Sequence, residues 1–226
     1  MARASDNGAP AGPVGGLLLV RARADQVTSW VGKGLVSAHV TPLGDWTAVT
    51  PAGDHAATAA PYDDARTTLA ARPLSTSLRP AIGFFVADRR GFVVISPPGW
   101  RAVKRWLVWS PEDGTVRTPR LAGARPADLA SVAGVGAGAL PALVAAIRSA
   151  HAGPIPWLAG VHSALQLPGQ TLLTERDAPR GALVPASAKR VAQFDAMARE
   201  EAAHLAEVAA PPPPRRLRGR HAREES

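Results

Sequence analysis

Residues 81–96, AIGFFVADRRGFVVIS, constrain the fold more than any other stretch of this chain. Two apolar runs, AIGFFVA and FVVIS, flank DRRG, where Asp at the first turn position and Gly at the fourth predict a type I hairpin turn with a bulge. A strand with one solvated face alternates apolar with polar side chains. Here Ile82, Phe84 and Val86 occupy one parity and Phe85 the other, while Phe92 and Val94 alternate with Val93 and Ile95. Such strands need cover on both faces, so the hairpin belongs at the centre of a sheet.

Further strands are expected around it. GLLLVRARA reads as a first strand, LVSAHV and WTAVT flank the turn signal PLGD, and RWLVW and TVRT flank SPEDG. Asp25 is positioned to cap a short helix, QVTSWVGKG, ending at Gly32 or Gly34, and Asp63 or Asp64 to cap ARTTLAA, which Pro73 closes. WRAVKRW makes a poor strand, because it would mix charge with apolar side chains on both faces. As a helical turn it separates Arg101, Lys104 and Arg105 from Trp100, Val103 and Leu107, which predicts a short amphipathic helix between the two hairpins.

From Pro126 the pattern turns helical: PADLASVAG, GALPALVAAIRSA, PIPWLAGVHSAL and a long SAKRVAQFDAMAREEAAHLAEVAA with Ser187 as N-cap. In the last of these Val191, Phe194, Ala198, Leu205 and Val208 form one apolar stripe, so the helix is expected to pack against something. The expected class is α+β, a mostly antiparallel sheet with packed helices followed by an α-helical C-terminal region. The expected organisation is a disordered tail over 1–13, a sheet domain over 14–125, a helical region over 126–210 packed on the sheet, and a disordered Pro/Arg-rich tail over 211–226.

Charge is uneven along the chain. The net charge is +8, yet residues 65–125 alone carry eleven basic side chains against Asp88, Glu112 and Asp113. The codon bias of a G+C-rich genome enriches arginine everywhere and does not explain one block nearly devoid of acids. The absence of cysteine excludes disulfides, thiolate metal sites and thiol nucleophiles. No run approaches the ~18 apolar residues of a membrane span, and the first residues lack the ~7–15-residue apolar core of a signal peptide, so a cytoplasmic protein without a membrane partner is expected.

Motifs for chemistry are weak. Glu201 and His204 have the spacing of one half of a di-iron site, without the second copy such a site needs. Gly134, Gly136 and Gly138 follow a predicted helix, where a dinucleotide fingerprint requires a strand and a different spacing, and they read better as a helix joint. GALPALVAAIRSA and PIPWLAGVHSAL have the outline of a helix-turn-helix, but the second offers no arginine or lysine to a groove. No catalytic, metal or cofactor residues are assigned.

The remaining candidate is the basic block. The leading expectation is a non-catalytic module that recognises an acidic partner, either nucleic-acid phosphate or an acidic protein surface, through Arg89, Arg90, Arg101, Lys104 and Arg105. Two alternatives stand beside it. One is a self-associating module that pairs this block with the chain's own acidic regions. The other is an enzyme of unrecognised type, requiring His39, His55, His162 or carboxylates to converge in a pocket between the sheet and the C-terminal helices.

Overall fold

The central hairpin forms as its apolar pattern requires. In the computed structural model, which describes residues 15–209, the elements run β1 (Gly16–Val20), α1 (Ala24–Val31), β2 (Ala38–Leu43), β3 (Trp46–Pro51), α2 (Ala65–Ala71), β4 (Ala81–Ala87), β5 (Arg90–Ser96), β6 (Arg105–Ser110) and β7 (Gly114–Val116). They continue with α3 (Pro126–Ala133), α4 (Leu140–Arg148), α5 (Pro154–Ala164), α6 (Gln170–Thr174), β8 (Ala182–Val184) and α7 (Ala188–Ala209). The eight strands make one antiparallel sheet in the order β7-β6-β5-β4-β1-β3-β2-β8, so the fold is α+β.

Both faces of the sheet are covered. Ile82, Phe84, Val93 and Ile95 meet the layer formed by α3 to α6, where Leu129, Leu143, Trp157 and Leu158 are buried. Ala81, Phe85, Phe92 and Val94 meet α1 and α2 through Val27, Val31 and Leu69. Complete burial of a side chain such as Phe84 or Phe85 contributes about 2–3 kcal/mol, and the two layers together make the hairpin the centre of the core.

The DRRG turn differs from the expected type I turn with a bulge. Ala87 pairs directly with Arg90, and Asp88 and Arg89 lie at φ 47° and 62°, so it is a two-residue type I′ turn, whose twist matches that of the flanking strands. Gly91 therefore lies inside β5 and has another purpose. A Cβ built there would come within 2.9 Å of the Trp157 ring, so the glycine lets Trp157 lie against the strand and stack on Trp109 with centroids 5.5 Å apart.

Capping follows the sequence at two helices and departs from it at a third. Asp64 is the N-cap of α2 and accepts from the Thr67 N–H at 2.6 Å, and the Ser187 hydroxyl accepts from the Arg190 N–H at 3.4 Å. Helix α1 begins two residues earlier than expected, so Asp25 lies in its first turn and Arg23 is the N-cap, while Gly32 ends it. Gly134, at φ 78°, terminates α3 and opens the link to α4.

One further expectation fails and another holds in part. Residues 97–104 form a loop and not an amphipathic helix, because the chain there crosses directly between neighbouring antiparallel strands and its carbonyls bond to side chains from elsewhere. In α7 the stripe is covered only at its start: Val191, Phe194 and Ala198 are half-buried, whereas Leu205 and Val208 are 60% and 70% exposed. The tails at 1–13 and 211–226 lie outside the described residues.

Candidate functional site

The five basic residues singled out in the sequence separate into two groups. Arg89 and Arg90 stand at the β4–β5 turn, while Arg101, Lys104 and Arg105 stand beyond the other end of β5, about 20 Å away along seven residues of strand. No single surface patch joins them.

Their environments differ as much as their positions. Arg89 and Arg90 are exposed, and Arg89 reaches Glu112 only at 3.9 Å. Lys104 is turned inward, with Nζ donating to the carbonyls of Ala70 at 2.5 Å and Arg72 at 2.8 Å at the end of α2. Burial, and then the nearby Arg79, push its pKa down to about 8. Arg105 pairs with Asp128 at 2.7 Å. Burial alone would raise the Asp128 carboxyl, but the Arg125 backbone N–H and the Arg105 guanidinium hold it below the usual carboxylate range.

Other members of the block also serve the fold. Arg79 Nε and an η nitrogen donate to the Leu74 carbonyl at 3.2 and 3.0 Å, and its second η nitrogen donates to the Gly99 and Ala102 carbonyls at 3.1 and 2.9 Å. This pins the 97–104 loop from beneath. Arg72 donates to the Trp30 carbonyl at 2.5 Å and lies over the Trp30 ring, 4.0 Å from its centroid. These donors satisfy carbonyls that a helix end or a loop leaves open.

The pinned loop presents an apolar tip. Trp100 is 76% exposed and Val103 62%, with the Arg101 guanidinium 4.2 Å from the Trp100 ring centroid. The helical pattern places Trp100 and Val103 on the apolar side of a turn; the run Pro97-Pro98-Gly99 is the signal that the chain bends there instead, with Gly99 at φ 104°.

Strand pairing brings a second segment to the same end of the sheet. Trp106 donates its N–H to Ala122 and accepts from Ala124, so the segment after β7 runs back along the start of β6. Arg117, Arg120 and Arg125 are exposed on it, as is Leu121 at 40%. A cleft of about 650 Å³ beside it is lined by Trp106, Val116, Arg117, Pro119 and Leu121.

The histidines do not converge. His162 is buried against Phe84, its Nε2 donates to the Pro168 carbonyl at 3.2 Å, and burial lowers its pKa to about 4 despite that bond. It is a neutral core residue. His39 meets the Gly181 carbonyl at the sheet edge, and His55 is exposed near Asp63. Glu201 and His204 lie on the exposed part of α7, and among the described residues no three His, Cys, Asp or Glu side chains gather as a metal site would require. Helix α5, the second member of the helix-turn-helix outline, is buried on the sheet through Trp157, Leu158 and Val161. No helix among the described residues is long and apolar enough to cross a membrane. Comparison with protein-family models, with curated proteins and with solved structures gives no match.

Proposed function

We propose that this chain is a non-catalytic binding module that docks an acidic protein surface on the 97–104 loop and the neighbouring 117–125 segment. The observation that carries this reading is Trp100, held 76% exposed on a loop pinned by Arg79 and stacked by Arg101. An exposed indole keeps apolar surface in water in every unbound copy, a cost that docking removes, and tryptophan and arginine are the residue types that dominate binding energy at interfaces. Val103 and Leu121 supply apolar surroundings, and Arg101, Arg117, Arg120 and Arg125 supply a cationic rim that favours carboxylates.

An acidic protein fits this arrangement better than a nucleic-acid strand. A strand is held by successive stacking rings along a cationic track, whereas the 97–104 loop and the 117–125 segment expose one ring, Trp100, with the aliphatic side chains Val103 and Leu121. Arg89 and Arg90, at the far end of β5, do not extend the track.

Fluorescence anisotropy at low salt, with a labelled glutamate-rich peptide carrying apolar anchors and a labelled oligothymidylate, tests the assignment. The peptide is expected to bind, with about tenfold or greater loss on Trp100→Ala. Arg101→Ala with Arg120→Ala should flatten the salt dependence, and Arg89→Ala with Arg90→Ala should change nothing. Tighter binding of the oligonucleotide, weakened by the Arg89 and Arg90 changes, would assign the block to phosphate. Binding of neither probe, or indifference to Trp100→Ala, would overturn the reading.

A further inference from the structure

Helix α7 behaves differently along its length. Its first turns pack on the rest of the molecule: Phe194 meets Tyr62 edge-on at 5.3 Å, and the Asp195 carboxylate accepts from the Ala59 N–H at 3.2 Å. Its last three turns extend past that contact. Met197, Leu205 and Val208 are 67%, 60% and 70% exposed, and Glu200 and Glu201 stand beside them. Leu205 and Val208 belong to the apolar stripe that the sequence marks for packing, and they have no cover among the described residues.

Next to the packed half of α7 lies an open groove of about 1110 Å³ between α7 and α2. Leu35, Val36 and Leu69 contribute apolar floor, and Tyr62, Phe194 and Met197 contribute apolar wall. Four cations, Lys33, Arg66, Arg72 and Arg190, and two carboxylates, Asp64 and Asp88, line it, and Arg66 is paired with Asp54. Asp64 is already committed as the α2 N-cap. Among the described residues no carboxylate lies within ion-pair distance of Lys33, Arg72 or Arg190. Burial, and then Arg190, push the Arg72 pKa down to about 10, as expected where positive charge is crowded.

We propose that two copies of this chain pair through α7, the exposed acidic half of each helix lying in the cationic α2–α7 groove of the other. Groove and helix are complementary in both properties that matter: an apolar floor for Leu205 and Val208, and a cationic lining for Glu200 and Glu201. The three-residue spacing of Leu205 and Val208 is that of a helix laid in a groove. The packed half of α7 is itself the wall of the groove, so the exposed half cannot turn back into its own groove without breaking the helix. A two-fold axis near the middle of α7 resolves this. It sets the two helices antiparallel, with Lys189 and Arg190 of one opposite Glu200 and Glu201 of the other, and uses the same pair of surfaces twice. The 11 residues 199–209 reach about 16 Å, enough to lie along the partner's α2, which has 7 residues. The chain's own residues 211–226 are a poorer occupant, since five arginines against Glu224 and Glu225 match the charge of the groove.

Sedimentation velocity on the full chain across a range of concentration and salt is the test. The expected result is a monomer–dimer equilibrium that high salt weakens. Leu205→Glu with Val208→Glu, both exposed and therefore tolerated by the fold, should weaken association at least tenfold. Glu200→Lys with Glu201→Lys should do the same, and adding Lys33→Glu and Arg190→Glu to that chain should restore the dimer. Trp100→Ala should leave the mass unchanged, which separates this interface from the acidic-protein surface at the other site. A wild-type chain that stays monomeric at the highest concentration would overturn the proposal. So would a dimer indifferent to the α7 changes, or one lost only when residues 210–226 are removed.

Discussion

At the β4–β5 turn, arginine is a surface charge; at the opposite end of the same strands, it is a fastener. Arg89 and Arg90 project into solvent with one long contact to Glu112. Arg79, Lys104 and Arg105 lie under or beside the 97–104 loop and engage carbonyls of Leu74, Gly99, Ala102, Ala70 and Arg72 and the carboxylate of Asp128. The difference arises from what surrounds each cation. A two-residue turn satisfies its own backbone, whereas a helix end followed by a loop leaves carbonyls that need donors. A basic block in a sequence is therefore a supply of long donors as much as a surface.

Removing the central fastener should separate the two ends most clearly. Arg79→Ala deletes four hydrogen bonds and is expected to cost about 4 kcal/mol in urea unfolding, against less than about 0.5 kcal/mol for Arg90→Ala. Equal losses at the two positions would break the contrast. Next in size is the titration of Lys104. The unfolded chain keeps that proton up to about 10.5, whereas the folded chain releases it near pH 8. The unfolded state thus binds more protons in between, and stability should rise through this window, by up to about 3 kcal/mol relative to Lys104→Met measured in parallel. A constant difference between the two proteins from pH 7 to 10.5 would contradict it.

Smaller effects sharpen the comparison. Arg105→Ala should cost about 1 kcal/mol through the half-buried pair with Asp128, while Arg89→Ala, with its partner at 3.9 Å, should change chemical denaturation by no measurable amount. Arg89→Gly should stabilise by about 0.5–1 kcal/mol, because Arg89 occupies the left-handed region that glycine tolerates without strain. Thermal unfolding would register that gain as a small rise in Tm.

The α+β class and the double cover of the central hairpin were legible because Phe84 and Phe85, adjacent in sequence, must point to opposite faces and both are apolar. The turn type was not, because Gly91 looks like a turn residue and its role depends on Trp157, sixty-six positions later in the chain. Strand β8 was missed for a related reason: three residues carry too little periodicity, and their pairing depends on β2. At the candidate site the sequence located the charged block but not its partition. Whether Lys104 faces solvent or the end of α2 is decided by tertiary contacts, and the helical pattern assigned to 97–104 gave way to a loop that Arg79 holds by its carbonyls.

Strand β8 also sets the order in which the chain can be finished on the ribosome. β2 emerges early, but its outer neighbour is about 140 residues further on, an interval of about 7–28 s at ordinary rates of synthesis. During that time β2 presents a row of amides to any other nascent strand. Pro42 has no amide hydrogen to offer, which confines the exposed template to residues 38–41, the stretch that β8 then largely claims by pairing with Ala38, His39 and Val40.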